Sequence, residues 1–300
     1  MILIISNNNE RTTTEVIKWL SVMNKNFIRV HEDEVFDIRV EKKRIFIESK
    51  RNKFFLDDIT SVWYRRGGLR FRHFEYKNIS VNEHMKEVQH WLYDYVTKTL
   101  ESKKHISKES NSDINKLLVL EEARKIGLLV PDFFLAEDTN EVVLNDTIIK
   151  TIAGNPMIDN LNSKTDGIMY TTTIQDYEHN DFFITFFQDK IEKDYEIRSF
   201  YLNRKIWSMA IFSQNDEKTK TDFRRYNLER PNRNVRYNLP EDIEKKMQLL
   251  MLKLDLNCGS FDFIKNGDHY YFLEINTVGQ FLGLSHICNY SLEKEIAEYL

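Results

Sequence analysis

Two alternating segments near the C-terminus, residues 259–265 and 269–275, flank Gly267 and carry acidic side chains among aromatic ones. This alternation around a glycine predicts two antiparallel strands joined by a tight turn. Glu274 and Asn276 are two positions apart, so their side chains project to the same face of the second strand. The flanking residues are apolar enough to bury both strands, and buried carboxylates are costly without a cation. The pattern therefore predicts a metal site on an antiparallel sheet.

The length of the turn decides whether Asp262 joins these two side chains. A two-residue loop at 266–267 would turn Asp262 to the other face from Glu274, whereas a three-residue loop at 266–268 places it diagonal to Glu274. We therefore predict the three-residue loop. Asp262, Glu274 and Asn276 would then offer oxygen ligands of the kind that Mg²⁺ prefers. The alternative is an exposed hairpin with solvated acids, which the neighbouring aromatic residues disfavour.

The composition indicates a folded globular protein of two or three lobes. The chain has 300 residues, 30 % charged and 13 % aromatic, whereas single domains usually contain about 100–150 residues. Its net charge of −4 comes from 43 basic and 47 acidic residues spread along the chain, which predicts neither a nucleic-acid partner nor a membrane partner. Cys258 and Cys288 are far apart, so we expect no disulfide and no zinc site, and a cytoplasmic location.

The apolar pattern predicts an α/β opening followed by two further lobes. Residues 1–5 have no basic leader and are too short for a signal peptide or a membrane span, so they predict a buried strand that starts a βαβ unit. Residues 105–113 contain many turn formers and predict a linker. We therefore place three domains at 1–112, 113–187 and 188–300.

The order of Asp262 and the Glu274-x-Asn276 motif, behind a predicted helix, resembles the metal-binding end of ATP-grasp enzymes. The whole chain is similar to the ATP-grasp peptide maturases that make graspetides, the microviridin-type ligases, most strongly from 113 to 283. The resemblance implies an α/β ATP-grasp fold. Its parts would be an N-terminal Rossmann-like pre-ATP-grasp domain, a central lid domain and a C-terminal antiparallel-sheet domain with the magnesium site.

The resemblance implies that two lysines contact the nucleotide phosphates. Lys116 resembles the lysine that reaches the phosphates, and Lys150, in an apolar strand, resembles the lysine beside the α-phosphate and adenine. Taken alone, Lys150 is as readily a lysine that extends from an edge strand into solvent. The phosphate-covering loop would be residues 153–166. It contains only Gly154, although such loops are often rich in glycine.

Residues 187–198 resemble the hinge between the two ATP-grasp lobes. The resemblance implies that the hinge backbone around 189–191 contacts adenine and that one of two acidic side chains, Glu192 or Asp194, holds the ribose hydroxyls. Besides the two lysines, the implied nucleotide contacts are Gln188, Asp189, Ile191, Glu192 and Asp194.

Three arginines are implied to be catalytic. Arg198 would face the γ-phosphate, for which a planar and permanently charged guanidinium is suited. The alternative for Arg198 is a surface ion pair with Glu196. Arg224 or Arg225, which follow the polar segment 214–221, would place the acidic acceptor side chain of the substrate.

Three more residues are implied to contact the substrate. Arg65 and Arg66, in the segment Trp-Tyr-Arg-Arg-Gly-Gly, would line the peptide cleft, and Asp222 precedes the second arginine pair. For any one of the four arginines in these two pairs, a solvated basic turn explains the pattern about equally well.

The resemblance implies an ATP-dependent carboxylate ligase that uses ATP and Mg²⁺. It would phosphorylate Asp or Glu side chains of a ribosomal precursor peptide and join them to Thr or Ser hydroxyls, or to a Lys amine, as macrocyclic ω-esters or amides. The expected partners are the leader and the acidic, hydroxyl-rich core of that peptide, and a second copy in a homodimer. Two alternatives are an ATP-grasp ligase that adds amino acids to a peptide or metabolite, and a non-catalytic nucleotide-binding or peptide-binding protein.

Overall fold

The computed structural model describes the chain except for residues 8, 153–156, 159–166, 179, 216–218, 223, 226 and 230. The chain forms two compact units: Met1–Ser112 together with Ser291–Leu300, and Asp113–Tyr290. The junction at residues 112 and 113 lies in the segment predicted to be a linker. The division of the second unit at residue 187 stays a prediction.

The first unit contains a parallel sheet and a second, mixed sheet. Its elements up to residue 112 are β1 Ile2–Ser6, α1 Arg11–Val22, β2 Phe27–His31, β3 Val35–Glu41, β4 Arg44–Glu48, β5 Lys53–Phe55, β6 Ser61–Tyr64, β7 Arg70–Phe71, α2 Ile79–Glu101 and β8 Lys104–Ile106. Strands β2, β1, β6 and β8 pair in that order, all in parallel. Strand β1 is buried at every position, as a parallel strand covered on both faces requires. This is the predicted Rossmann-like opening.

The second unit contains two larger antiparallel sheets. Its elements are α3 Lys116–Lys125, β9 Phe133–Asp138, β10 Thr147–Ile149, β11 Met157–Ile158, β12 Gly167–Ile168, β13 Thr172–Thr173, β14 Asp181–Asp189, β15 Tyr195–Leu202, β16 Lys205–Phe212, β17 Arg233–Tyr237, α4 Glu241–Lys253, β18 Cys258–Asn266, β19 His269–Asn276 and α5 Leu282–Cys288. One sheet has the order β13, β10, β14, β9 and the other the order β17, β16, β15, β18, β19. Strands β11 and β12 pair separately.

One buried core joins the two antiparallel sheets of the second unit. Phe186 of β14 belongs to the same buried cluster as Phe261, Phe263 and Phe272 of β18 and β19, together with residues of α3 and α4. Burial of such large apolar side chains is the main favourable contribution to folding. The shared core therefore fixes the polar residues that these sheets carry relative to one another.

The last helix, α6 Leu292–Tyr299, packs against α1 in the first unit. Leu292 and Ile296 are buried there, and the Ser61 hydroxyl donates to the Leu300 carbonyl oxygen at 2.9 Å. Residues 291–300 therefore depart from the predicted domain 188–300, because their apolar face is covered by the N-terminal unit. Among the described residues, no helix has both the length and the apolar content needed to cross a membrane.

Candidate active site

The hairpin of β18 and β19 turns through two residues. Asn266 pairs with His269, which leaves Gly267 and Asp268 in the turn. Gly267 has a φ of 51°, in the left-handed region that glycine adopts without steric cost. The predicted three-residue loop at 266–268 is therefore wrong.

A β-bulge nevertheless brings the two carboxylates together. Phe263 pairs with Phe272, but Asp262 pairs with Glu274, so that Leu273 is an extra residue on β19. A two-residue turn alone would have set Asp262 opposite Leu273 and Glu274 on the other face. Residues directly opposite in an antiparallel pair project to the same face. The shared face of Asp262 and Glu274 is confirmed, and its cause is the bulge.

Asn276 lies on this same face and is opposite Ser260. Its side-chain oxygen accepts a hydrogen bond from the Val278 N–H at 3.1 Å. Across the described part of the chain, no cluster of three or more His, Cys, Asp or Glu side chains could hold a metal ion. The donor set here is two carboxylates and one amide, which suits Mg²⁺, since this ion typically takes one or two carboxylates plus substrate phosphates and waters.

Arg198 lies beside the predicted metal ligand Asp262. The two residues are paired across β15 and β18, and the Arg198 Nε and Nη2 atoms donate to the two Asp262 oxygens at 3.0 and 3.1 Å. This bidentate arrangement is the stronger geometry for such a pair. Glu196 is buried and accepts from Lys193 and Ser213, so the surface ion pair considered for Arg198 is wrong.

Burial and neighbouring charges shift the two carboxylates in opposite directions. Burial raises the pKa of Asp262, Arg198 opposes that shift, Glu274 adds to it, and the net change is upward. Burial also acts to raise the pKa of Glu274, but Lys116 and Lys150 outweigh it, and this pKa is lowered. Two carboxylates that face each other favour a cation between them.

Lys116 and Lys150 reach this hairpin from two other elements. Lys116, the first residue of α3, donates to Glu274 Oε2 at 2.9 Å, and Lys150, just after β10, donates to the Leu273 carbonyl oxygen at 3.4 Å. The bulged residue therefore supplies the acceptor for Lys150. Burial lowers the pKa of Lys150 to about 8, partly offset by Glu274.

Gln188 lies on the same face of its sheet as Lys150. Gln188 pairs with Ile148, and Lys150 follows two positions later, so the three side chains share a face. Gln188 is fully buried, and neither its amide nitrogen nor its amide oxygen has a hydrogen-bond partner among the described residues. A buried amide without partners is costly, so this position fits the polar edge of a ligand such as a nucleotide base.

Of the three hinge residues predicted to contact adenine, 189–191, two donate their backbone N–H groups to other backbone carbonyl groups. The Asp189 N–H donates to the Asp132 carbonyl oxygen at 2.8 Å, and the Lys190 N–H donates to the Asp146 carbonyl oxygen at 2.7 Å. The N–H of Ile191 makes no such bond within the described part of the chain. Of the backbone predicted to contact adenine, Ile191 is therefore the position with a free donor.

The two acidic side chains of the hinge have different surroundings. Asp194 Oδ2 accepts from the Gly267 N–H at 2.9 Å and so caps the hairpin turn. The Glu192 carboxylate is exposed and lies 3.5 Å from the Lys190 ammonium.

Strand β15 runs from the hinge to the paired carboxylates. Tyr195 pairs with Lys265 beside the hairpin turn, and Arg198 lies three residues further along β15, about 10 Å away. The hinge and the paired carboxylates are thus separated by a distance that suits an extended nucleotide.

Asp222 orients Arg224, the first arginine of the second pair. The buried Asp222 carboxylate accepts from Arg224 Nε at 2.9 Å and from the Thr171 N–H at 3.0 Å. Arg225 lies with its guanidinium carbon 5.1 Å from the centre of the Tyr170 ring, within range of a cation–π contact. Sequence analysis did not single out Tyr170, because this contact joins two segments that are more than 50 residues apart in the chain.

Arg224 also acts on the hairpin carboxylates. Its positive charge lowers the pKa of both Asp262 and Glu274, against the effect of burial. Arg224 therefore belongs to the same electrostatic cluster as Arg198, and four cationic side chains from four segments of the second unit act on two carboxylates.

Arg65 and Arg66 belong to the first unit, whereas the other predicted site residues belong to the second. Arg65 has only 3 % of its side chain exposed and pairs with Glu10 Oε1 at 3.0 Å. Glu10 also accepts from the Thr13 N–H at 2.7 Å and so caps α1. Arg66 is exposed. The contact of these two arginines with a substrate stays a prediction.

The predicted phosphate-covering loop, residues 153–166, lies outside the described residues except for β11. Its role in covering a nucleotide stays a prediction. The described residues include groups that would suit ATP with Mg²⁺: oxygen ligands, cations near the hairpin carboxylates and a buried amide without a partner.

The structure is similar over its full length to solved ATP-grasp enzymes. Macrocyclase MdnC from Microcystis aeruginosa MRC, bound with precursor peptide MdnA, is 25 % identical with a TM-score of 0.75, over 100 % of this chain and 99 % of that one. A Chryseobacterium gregarium RiPP-associated ATP-grasp ligase, in complex with ADP and a leader and core peptide, is 23 % identical with a TM-score of 0.75, over 99 % and 94 %. No family model and no curated protein sequence matches the chain.

A structure with lower similarity to this chain is also an ATP-grasp protein. A RimK domain ATP-grasp protein from Sphaerobacter thermophilus DSM 20745 is 8 % identical with a TM-score of 0.54, over 100 % of this chain and 98 % of that one. The chain has the ATP-grasp fold, as predicted. Within that fold, the predicted resemblance to RiPP ATP-grasp macrocyclases is confirmed, and MdnB, another macrocyclase from Microcystis aeruginosa MRC, aligns with a TM-score of 0.71 at 18 % identity, over 100 % of this chain and 98 % of that one.

Proposed function

We propose that this chain is an ATP-dependent ligase that phosphorylates Asp or Glu side chains of a ribosomal precursor peptide and joins them to Thr or Ser hydroxyls, or to a Lys amine, as macrocyclic ω-esters or amides. The observation that carries the proposal is the cluster around Asp262 and Glu274. Two partly buried carboxylates face each other there and are surrounded by Lys116, Lys150, Arg198 and Arg224. Such a cluster suits transfer of a highly charged phosphoryl group.

The hairpin residues would hold Mg²⁺, and the hinge would hold the nucleotide. Asp262, Glu274 and Asn276 are the proposed metal ligands. Gln188 and the Ile191 N–H would contact adenine, and Glu192 is the better candidate for the ribose because Asp194 caps the hairpin turn. Bound ATP with Mg²⁺ would supply the phosphoryl group that turns a carboxylate oxygen into a leaving group.

The protein groups contribute positioning and charge. Lys116 and Lys150 would hold phosphate oxygens, and Arg198 would stabilise negative charge on the transferred group. Arg224, oriented by Asp222, would hold the acidic side chain of the peptide, with Arg225 beside it. We place the reaction in the cytoplasm, and a homodimer stays a prediction.

A mass-spectrometric assay tests this proposal. The protein is incubated with Mg²⁺, ATP and an acidic, hydroxyl-rich peptide encoded beside its gene. We expect the loss of one water and the release of one ADP for each linkage. A gain in mass equal to an added amino acid would instead indicate an amino-acid ligase. Absence of ADP release with any acidic peptide would contradict a ligase of either kind and favour a binding protein.

A further inference from the structure

A buried ion pair between Lys193 and Glu196 lies at the end of the hinge. Their side chains are 6 % and 9 % exposed, and such charged groups are almost never buried unless paired. Lys193 lies between Glu192 and Asp194, in the segment proposed to hold the nucleotide. Glu196 lies in β15, two residues before Arg198. The pair therefore connects the hinge to the strand that carries a proposed catalytic arginine.

The same pair is bonded to the segment that follows β16. The Lys193 ammonium donates to the Thr221 carbonyl oxygen at 3.1 Å, and the Ser213 hydroxyl donates to Glu196 Oε2 at 2.7 Å. The Thr219 hydroxyl in turn donates to the Ser213 carbonyl oxygen at 2.7 Å. All three contacts are buried or partly buried, so the hinge holds this segment at two separate points.

The contact with Thr221 leads directly to Arg224. Thr221 precedes Asp222, whose carboxylate holds Arg224 through its guanidinium and through its backbone N–H, the latter at 3.0 Å. Asp222 is fixed on its other side by the Thr171 N–H. A displacement of Lys193 would therefore move the residue next to Asp222 and change the orientation of Arg224.

We propose that Lys193 and Glu196 are positioning residues that couple the nucleotide hinge to Arg224, so that a nucleotide bound at the hinge orders the acceptor-binding arginine. The proposal rests on the proposed function, because it requires a nucleotide at the hinge. A nucleotide that fixes Glu192 and Ile191 restricts Lys193, and Lys193 transmits this restriction through Thr221. Coupling between two sites is reciprocal, so a carboxylate held by Arg224 would tighten nucleotide binding by the same factor.

Hydrogen exchange with Mg²⁺ and ADP as the probe tests this coupling. The backbone amides of Thr219, Lys220 and Thr221 are followed with and without the probe in wild type and three variants. Wild type and the control Lys245→Met, an exposed lysine of α4, are expected to show slower exchange when ADP is bound. The double variant K193M/E196L removes the pair without leaving a lone buried charge, and it should lose this protection while calorimetry still detects ADP binding. Ser213→Ala should lose part of it.

The outcomes separate the coupling from the proposed function. If ADP does not bind to wild type, the proposed nucleotide site fails. If ADP binds and wild type shows no protection, or the double variant keeps all of it, the coupling is overturned. Should circular dichroism show that the double variant is unfolded, Ser213→Ala decides, and full protection in that variant contradicts the proposal. A purely structural pair would change exchange equally with and without ADP.

Discussion

Strand β15 carries two ion pairs on one face, two residues apart, and they differ in burial and in their partners. Arg198 and Asp262 are 19 % and 15 % exposed and make two parallel hydrogen bonds. Lys193 and Glu196 are 6 % and 9 % exposed, and both make further contacts with the segment that holds Arg224. The first pair lies among residues of the proposed metal and phosphate site, and the second lies two residues nearer to the hinge on β15.

The difference in burial indicates which of the two carboxylates, Asp262 or Glu196, can bind a second cation beside its present partner. A carboxylate that retains some access to solvent can accept a new cation at moderate cost, whereas a fully desolvated pair is strongly penalised when either partner is lost. Asp262 can therefore share its oxygens between Arg198 and a metal ion. Lys193 and Glu196 have no such freedom, and they are suited to fixing the positions of their neighbours.

The largest expected effect follows from removing the carboxylate of the more exposed pair. Asp262→Ala should reduce ligase turnover by about 10²–10³-fold or more, since it removes a proposed metal ligand that also neutralises Arg198. Turnover is measured as ADP release with the precursor peptide. The matched control is Asp268→Ala, an exposed acid in the turn of the same hairpin. Equal activity of the two variants would exclude Asp262 from the metal site.

The second prediction concerns stability. Loss of one partner should lower the free energy of unfolding more at the Lys193–Glu196 pair than at the Arg198–Asp262 pair. Glu196→Leu leaves the Lys193 ammonium buried and should lower the free energy of unfolding by about 3–5 kcal/mol. Arg198→Met, at the more exposed pair, should cost less. Chemical denaturation measures both, and K193M/E196L should recover most of the loss. If the Arg198 variant were the less stable of the two single variants, the comparison would be reversed.

The hairpin shows how far the sequence can predict such a site. The alternation around Gly267 correctly indicated two antiparallel strands, and the shared face of Asp262 and Glu274 was expected only through an assumed length of the turn. The predicted reason, a three-residue turn, was wrong, because the structure combines a two-residue turn with a bulge at Leu273. A bulge depends on packing across strands, and its trace within β19 is a break in the alternation, since the buried residues Phe272 and Ile275 are three positions apart.

Contacts between distant segments account for the rest. The fold, the parallel opening and the antiparallel C-terminal sheet follow from periodicity and from the resemblance. The pairing of Arg198 with Asp262 and the contact of Lys193 with Thr221 join residues that are 64 and 28 positions apart. Local pattern cannot specify such pairs. The same limit explains why local pattern did not group α6 with the N-terminal unit, in which it packs against α1.

A third prediction concerns Lys150, the lysine that contacts the bulged residue Leu273 of the hairpin. Burial lowers the pKa of Lys150 to about 8 in the folded protein, from an ordinary value of 10.5. Between these values the unfolded chain binds more protons than the folded one, so this group makes stability rise with pH from about 8 to 10.5. Lys150→Met should remove that rise, and Lys245→Met should not. Denaturation without nucleotide or Mg²⁺ at several pH values measures the difference, and identical pH profiles for Lys150→Met and wild type would contradict the assignment.

The smallest expected effect separates the two acids of the hinge. Asp194→Ala removes the hydrogen bond to the Gly267 N–H and should lower stability by about 1 kcal/mol, because the hairpin turn loses its cap. It should leave ATP affinity nearly unchanged. Glu192→Ala should do the reverse, with weaker ATP binding and unchanged stability, since its carboxylate is exposed and makes no contact with the turn. Calorimetric titration and thermal denaturation of both variants decide between them. Loss of ATP affinity in the Asp194 variant alone would transfer the ribose contact to Asp194 and leave Glu192 as a solvated surface acid.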